Sequence, residues 1–356
     1  MDLDNREALR ANDPGGLGAR MAEFPGQLLE GWRIARATDL PSRYGDATAV
    51  AILGMGGSAI GGGLVKAIVT DSCPVPIQDI RDYRLPAAVG PHTLVIASSH
   101  SGETEETLSA FEEAISRGAR LAAVTTGGRL AEMARKHDIP LLEFTHPGPP
   151  RAAIGFSVSL ILGLLWRAGL VPNASTEMKG AVALLERAGA RLQEESPTAQ
   201  NRAKQIAQML QGRIPVIYAA EHLSPVARRW KTQFNEVAKT AAFFEILPEF
   251  DHNAIEGTGF PEAAQSDLVL ISLVSAFYHE RSIRRARLTA EILSSRGLQV
   301  EGVDVEGDNR LEEALWSVFL GDYASLYLAA LNGVDPHFTP NLDSLKQQMA
   351  HSEGAD

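Results

Sequence analysis

From residue 48 onward, short apolar runs rich in β-branched residues alternate with longer segments whose apolar positions recur every three to four residues. The runs 48–53, 93–98, 119–125 and 140–144 predict strands, and the segments 104–116 and 129–137 between them predict helices. Strand, helix, strand is the order of a parallel sheet with crossover helices. A polar helical stretch over 177–211 follows, and then the alternation restarts. Strands are expected at 214–219, 240–247, 267–275 and 298–305, and helices at 224–239 and 280–295, with closing helices at 310–331 and 341–350. The most apolar segment, 152–166, is interrupted by Ser157 and Ser159 and is short for a bilayer, so it predicts a buried core helix. The pattern predicts an α/β protein. Two doubly wound, flavodoxin-like parallel-sheet subdomains carry extra helices at both termini. The expected division is an N-terminal helical segment 1–30, a first subdomain 31–170, a linker helix with the second subdomain 171–305, and C-terminal helices 306–356.

Composition narrows the function without changing this architecture. The 356 residues suit about two domains. Thirty-three Lys and Arg against 44 Asp and Glu give a net charge of −11, which repels polyanions and argues against a nucleic-acid partner. The single cysteine, Cys73, excludes an internal disulfide and a cysteine-rich metal site, as in a reducing compartment. Residues 1–10 are acidic and polar, unlike the basic start and apolar stretch of a signal peptide. A cytoplasmic location is expected.

In open parallel sheets, ligands bind beyond the carboxyl ends of the strands, so the loops there are the first place to look for chemistry. The first strand runs into Gly54-Met55-Gly56-Gly57-Ser58-Ala59-Ile60-Gly61, where glycines permit close backbone approach and the next helix offers free N–H groups to an anion. The same residues satisfy the dinucleotide fingerprint, with Asp79 after the next strand to hold a ribose, and a purely structural turn is the third reading. A second loop, Ser98-Ser99-His100-Ser101-Gly102-Glu103-Thr104, sets three hydroxyls around a glycine just before a helix. Hydroxyls and helix N–H groups suit a phosphomonoester, whereas simple N-capping by Thr104 is the structural alternative. A dinucleotide gains little from this second loop.

With both loops in view, the chain resembles the sugar isomerase (SIS) domain, whose phosphate loop has the form S-x-S-G-x-T and whose first loop has the form G-x-G-x-S. The second half narrows the resemblance to the bifunctional phosphoglucose/phosphomannose isomerase family. Three segments carry it: Trp230-Lys231-Thr232-Gln233-Phe234-Asn235-Glu236, Pro248-Glu249-Phe250-Asp251-His252-Asn253, and Leu342-Asp343-Ser344-Leu345-Lys346. The resemblance implies two SIS subdomains, aldose–ketose isomerisation of a phosphorylated hexose through an enediol, no metal or other cofactor, and a homodimer.

It also implies roles. Gly57, Ser58, Ser99, Ser101 and Thr104 would bind the phosphate. Glu236 would shuttle the proton between C1 and C2, though by itself it reads as a solvated glutamate paired with a lysine at i+3. His252, presented to the neighbouring subunit's site, would open the sugar ring with Lys346. Arg151 would stabilise the enediolate; read alone, it is a cation beginning the apolar helix, where it is locally unfavourable unless an anion lies near. Thr339 would accommodate the C2 epimer, mannose 6-phosphate. Three positions depart from the family's wording. His100 and Glu103 replace a tyrosine and an asparagine, and Ala254 stands where a glutamate is common, with Glu256 the candidate substitute. The alternatives are a non-catalytic SIS sensor of sugar phosphates and a nucleotide-dependent oxidoreductase using the Gly54 loop.

Overall fold

Alternating side chains of the first sheet divide between two cores, as period-two strands covered on both faces must. In the computed structural model, which describes residues 1–352, β1 (Ala49–Leu53), β2 (Ile77–Ile80), β3 (Thr93–Ser98), β4 (Arg120–Thr125) and β5 (Leu141–Glu143) form one parallel sheet in the order 2-1-3-4-5. Val50, Ile52, Leu94 and Ile96 point into the main core; Ala51, Leu53, Val95 and Ala97 point the other way, against Leu108, Phe111 and Leu130. The order is flavodoxin-like, and its switch point lies between β1 and β3.

The N-terminus contributes α1 (Arg6–Asn12), α2 (Leu17–Ala22) and α3 (Phe24–Ala37), so the boundary expected at residue 30 falls inside a helix. Crossovers are α4 (Gly56–Ile68), α5 (Glu105–Ser116) and α6 (Gly128–Lys136), and α7 (Ile154–Arg167) is the apolar helix, buried against α3. The expected helical stretch 177–211 is two helices, α8 (Ser175–Leu192) and α9 (Arg202–Leu210). The first helix ends at Leu192, where Gln193 turns extended, and Asn201 starts the second by accepting the Lys204 N–H as an N-cap.

The second sheet holds β6 (Ile214–Ala220), β7 (Phe243–Leu247), β8 (Leu268–Val274) and β9 (Gln299–Asp304), all parallel, in the order 7-6-8-9. Its connections include α10 (Ser224–Glu236), α11 (Ala263–Asp267) and α12 (Glu280–Ser295). Helix α10 stops three residues short of expectation. Lys239 adopts φ 54° and the Thr240 N–H returns to the Phe234 carbonyl, closing the helix end.

Helix α13 (Arg310–Asn332) packs against α8, α9 and α10, and α14 (Pro340–Ser352) follows. Among the described residues, α13 is the one helix long and apolar enough to cross a membrane, but 89% of its apolar window is buried inside the protein, as expected of a core helix. One core cluster runs from Ile52 and Ile96 of the first sheet to Ile217 and Ile271 of the second, with Leu315 and Phe319 of α13 in it. Of the expected C-terminal unit 306–356, residues 353–356 lie outside those described.

Candidate active site

Because β1 and β3 are parallel neighbours, the loops leaving their carboxyl ends emerge side by side. The His100 N–H donates to Ser58 Oγ at 3.1 Å and ties the two loops together. Within the second loop, Ser99 is buried; its Oγ accepts the Gly102 N–H at 3.1 Å and lies 2.9 Å from Thr104 Oγ1. Gly102 has φ 71°, and a Cβ there would sit 1.9 Å from the Gly127 carbonyl oxygen, so only glycine fits. Thr104 occupies the N-cap position of α5, yet its hydroxyl goes to Ser99 and caps nothing. The first-turn N–H groups of α5 therefore have no side-chain cap, and Ser101 stands exposed beside them. This is a helix N-terminus dressed with hydroxyls, suited to a phosphate dianion.

The two departures in this loop have physical accounts. Glu103 Oε1 accepts the Arg129 N–H at 2.8 Å, which directs its charge to the start of α6. His100 is half-buried with Nε2 3.4 Å from Nδ1 of His146, and burial, then His146, push its pKa down to about 4. The imidazole is therefore neutral near pH 7.

Arg151 lies in a 3-10 turn, Pro150–Ala152, ahead of α7 and not at the start of that helix. The expected conflict with the α7 dipole therefore does not arise. The turn crosses the start of α4 so closely that a Cβ on Gly57 would be 3.0 Å from the Pro150 carbonyl carbon. The buried Arg151 guanidinium donates to the carbonyls of Pro336 at 3.0 Å and His337 at 2.5 Å, and Nη1 lies 3.8 Å from Glu236 Oε2. Its Nε has no partner among the described residues. Burial pushes the Arg151 pKa down and Glu236 pulls it up, but a guanidinium starts so high that it stays charged.

Glu236 is the last residue of α10, and its side chain is 28% exposed. Lys239 Nζ donates to the Glu236 main-chain carbonyl at 2.6 Å, not to its carboxylate, so the solvated i+3 pair does not form. The carboxylate faces Arg151 instead.

Two supports were not legible in the sequence. Arg229, fully buried, makes a two-pronged pair with Asp322 of α13 (Nε to Oδ1 3.1 Å, Nη2 to Oδ2 2.9 Å) and donates to the Arg151 carbonyl at 2.6 Å. Gln27 of α3 donates to the Ala152 carbonyl at 2.7 Å and accepts the Gly155 N–H at 3.1 Å. Both hold the turn that carries Arg151. Arg229 sits seven residues before Glu236 on one helix face, the only hint the sequence offered.

The remaining residues are placed more loosely. Half-buried Thr339 accepts the Asp343 N–H through its carbonyl as the chain enters α14, and Asp343 is close enough to act electrostatically on Arg151. Lys346 is exposed on α14, and His252 is exposed in a 3-10 turn after β7. Among the described residues, no hydrogen bond or ion pair joins either to Arg151 or Glu236. Asp251 is held by Arg285 at 3.1 Å and Thr289 at 2.7 Å, which fixes the turn, while Glu256 points to Arg296 at 3.7 Å. Asp79 lies within β2, not after it, and its carboxylate is engaged by Lys66 at 2.9 Å and by Arg81, which leaves less of it for a ribose.

Comparison with known proteins adds the family. The sequence model of the bacterial phospho-glucose isomerase C-terminal SIS domain matches residues 199–349. A bifunctional phosphoglucose/phosphomannose isomerase from Caldicellulosiruptor bescii is 36% identical over 328 residues, covering 92% of this chain and 97% of that one. One of the same name from Aquifex aeolicus is 34% identical over 301 residues, covering 84% and 90%. Among solved structures, a hypothetical protein from Thermus thermophilus superposes with a TM-score of 0.77 at 19% identity, covering 99% of this chain and 94% of that one, and so shares the fold.

Proposed function

Because the chain belongs to the bifunctional phosphoglucose/phosphomannose isomerase family, we propose that it interconverts glucose 6-phosphate and mannose 6-phosphate with fructose 6-phosphate. The observation that carries the site assignment is the 3.8 Å approach of Arg151 to the Glu236 carboxylate, on a turn that packs against Gly57 of the first loop, itself tied to the hydroxyl-lined second loop through Ser58 and His100. A base and a fixed cation set beside a phosphate cradle are the parts an enediol reaction requires.

In this reading Gly57, Ser58, Ser99, Ser101 and Thr104 grip the phosphate, remote from the reacting carbons. Glu236 takes the proton from C2 of the open-chain aldose and returns it to C1. As the carbonyl oxygen gains negative charge, Arg151 stabilises it, and because the guanidinium is already fixed by two carbonyls it costs little reorganisation. Returning the proton to either face of C2 links both aldoses to one ketose, and Thr339, on the turn that Arg151 holds, would accommodate the epimer. His252 and Lys346 open the ring.

His252 reaches the site of a second copy in a homodimer. Its exposed position, with no bond to Glu236 or Arg151 of its own chain among the described residues, supports that reading. So does uncovered apolar surface: Leu342, Leu345 and Met349 of α14, with Phe338 just before the helix, are 46%, 58%, 47% and 62% exposed. The substrate is a small phosphorylated metabolite, which fits a cytoplasmic enzyme.

A coupled assay offering each aldose phosphate separately tests the proposal, with Glu236→Gln as the control. The wild type should turn over both. The amide keeps the shape but cannot accept the proton, so the variant should still bind substrate and lose about 10² or more in kcat. Turnover of neither aldose phosphate by the wild type, or near-normal turnover by the variant, would overturn it.

A further inference from the structure

A cavity of about 460 Å³ opens between the two subdomains, at the end of α10 opposite Glu236. Twelve helical steps separate the two ends, about 18 Å. Lys66 of α4, Arg81 after β2, Arg228 of α10 and Arg310 at the start of α13 bring four cations to its walls, against Asp71, Asp79 and Glu221.

The counter-charges are unevenly shared. Asp79 serves both Lys66, at 2.9 Å, and Arg81, at 3.3 Å. Arg310 takes Asp71 at 2.5 Å and Glu221 at 4.0 Å. Arg228 has no carboxylate partner among the described residues; its guanidinium lies over the Phe244 ring at 5.7 Å and acts on Arg81 as a like charge. Arg81 is in turn fixed over Gly63, with Nη2 3.6 Å from where a Cβ would stand. Two guanidinium groups are thus set near each other with one shared carboxylate between three cations.

Two further features favour an anion. Helix α10 begins at Ser224 on the cavity wall with no side-chain cap, and although the Ser224 N–H goes to the Glu221 carbonyl and Pro225 has none, the positive end of its dipole is turned to the cavity. His222, also on the wall and fully buried, uses Nε2 to meet Glu313 at 2.7 Å, while Nδ1 has no partner among the described residues. An unpaired buried ring nitrogen beside a cationic cavity is a donor or acceptor waiting for a ligand.

We propose that this cavity is a second anion site, separate from the cradle of Ser58, Ser99, Ser101 and Thr104, and that it takes inorganic phosphate or a small phosphate ester. Arg81 and Arg228 grip the phosphate oxygens from the two subdomains, His222 Nδ1 supplies a further hydrogen bond, and the α10 dipole adds to the positive field. Occupancy would tie β2 and α4 to α10 and α13. The site does not depend on the isomerase reading.

Equilibrium dialysis with inorganic phosphate tests it on the full chain. The wild type should bind two equivalents per chain, and Ser101→Ala with Thr104→Ala, which disables the cradle, should leave one. Adding Arg228→Gln should weaken that remaining site about tenfold or more, and adding Arg81→Gln as well should abolish it. Arg228 makes no ion pair or hydrogen bond among the described residues, so its replacement leaves the protein folded, which circular dichroism will check. With the cradle intact, Arg81→Gln and Arg228→Gln should leave the KM for the sugar phosphate within about twofold. No phosphate bound by the cradle-disabled protein, or a remaining site indifferent to Arg228→Gln, would overturn the proposal.

Discussion

Acidification should destabilise this protein through the histidine of its phosphate loop, by an amount the structure allows to be worked out. His100 is neutral in the folded chain down to a pKa of about 4, because burial and His146 oppose its charge, against 6.5 when unfolded. Above pH 6.5 neither state holds the proton and the histidine contributes nothing. Below that, the unfolded chain binds the proton first, so stability falls with pH until about pH 4, where folded His100 titrates too. The gap caps the loss at about 3.4 kcal/mol, and at pH 5 the same linkage gives about 2 kcal/mol. His146 is also depressed, by burial and then by Arg20, and adds in the same direction, while Glu23 lies 4.0 Å from its Nε2. Urea unfolding at pH 7, 6 and 5 should be run on the wild type and on His100→Gln, which cannot titrate. Between pH 7 and 5 the wild type should lose about 2 kcal/mol more than the variant. Parallel losses, within about 0.5 kcal/mol, would mean that His100 is not held neutral by its surroundings, and the account of this departure from the family would fail.

Ser101→Ala combined with Thr104→Ala should raise KM for every phosphosugar alike with little change in kcat, since a grip remote from the reacting carbons contributes mostly uniform binding; steady-state kinetics on both aldoses checks this. Mixing Glu236→Gln with His252→Ala, each nearly inactive alone, under subunit exchange should restore roughly a quarter of wild-type activity, because about half the dimers are mixed and each has one whole site. No recovery in verified mixed dimers would place the two residues' work within one chain.

The strands and crossovers were legible because their chemistry is local. The continuous apolar, β-branched run 93–98 and the three-to-four spacing in 280–295 suit a strand covered on both faces and a one-sided helix, and both elements form over those bounds. The boundaries that moved did so for reasons outside local pattern. Residues 237–239 keep helical composition, but the chain must turn into β7, and Lys239 takes a left-handed backbone to do so. The break after Leu192 inside 177–211 likewise lets α9 pack on α13.

By itself, the sequence determined the fold class, the two loops at neighbouring strand ends, and the family, because periodicity and motif spacing survive when read along one dimension. Only the tertiary structure decided what those residues face. It turned the Thr104 hydroxyl to Ser99 and away from its own helix, drew Glu103 off to α6, and moved Arg151 out of the apolar helix onto the carbonyls of Pro336 and His337. It also placed Arg229 and Asp322, 93 positions apart, in one buried pair behind the Arg151 turn. Contacts of that range are set by how helices and sheets bury their apolar faces against one another, and the electrostatics of the site, down to the neutrality of His100, follow from the burial that packing imposes.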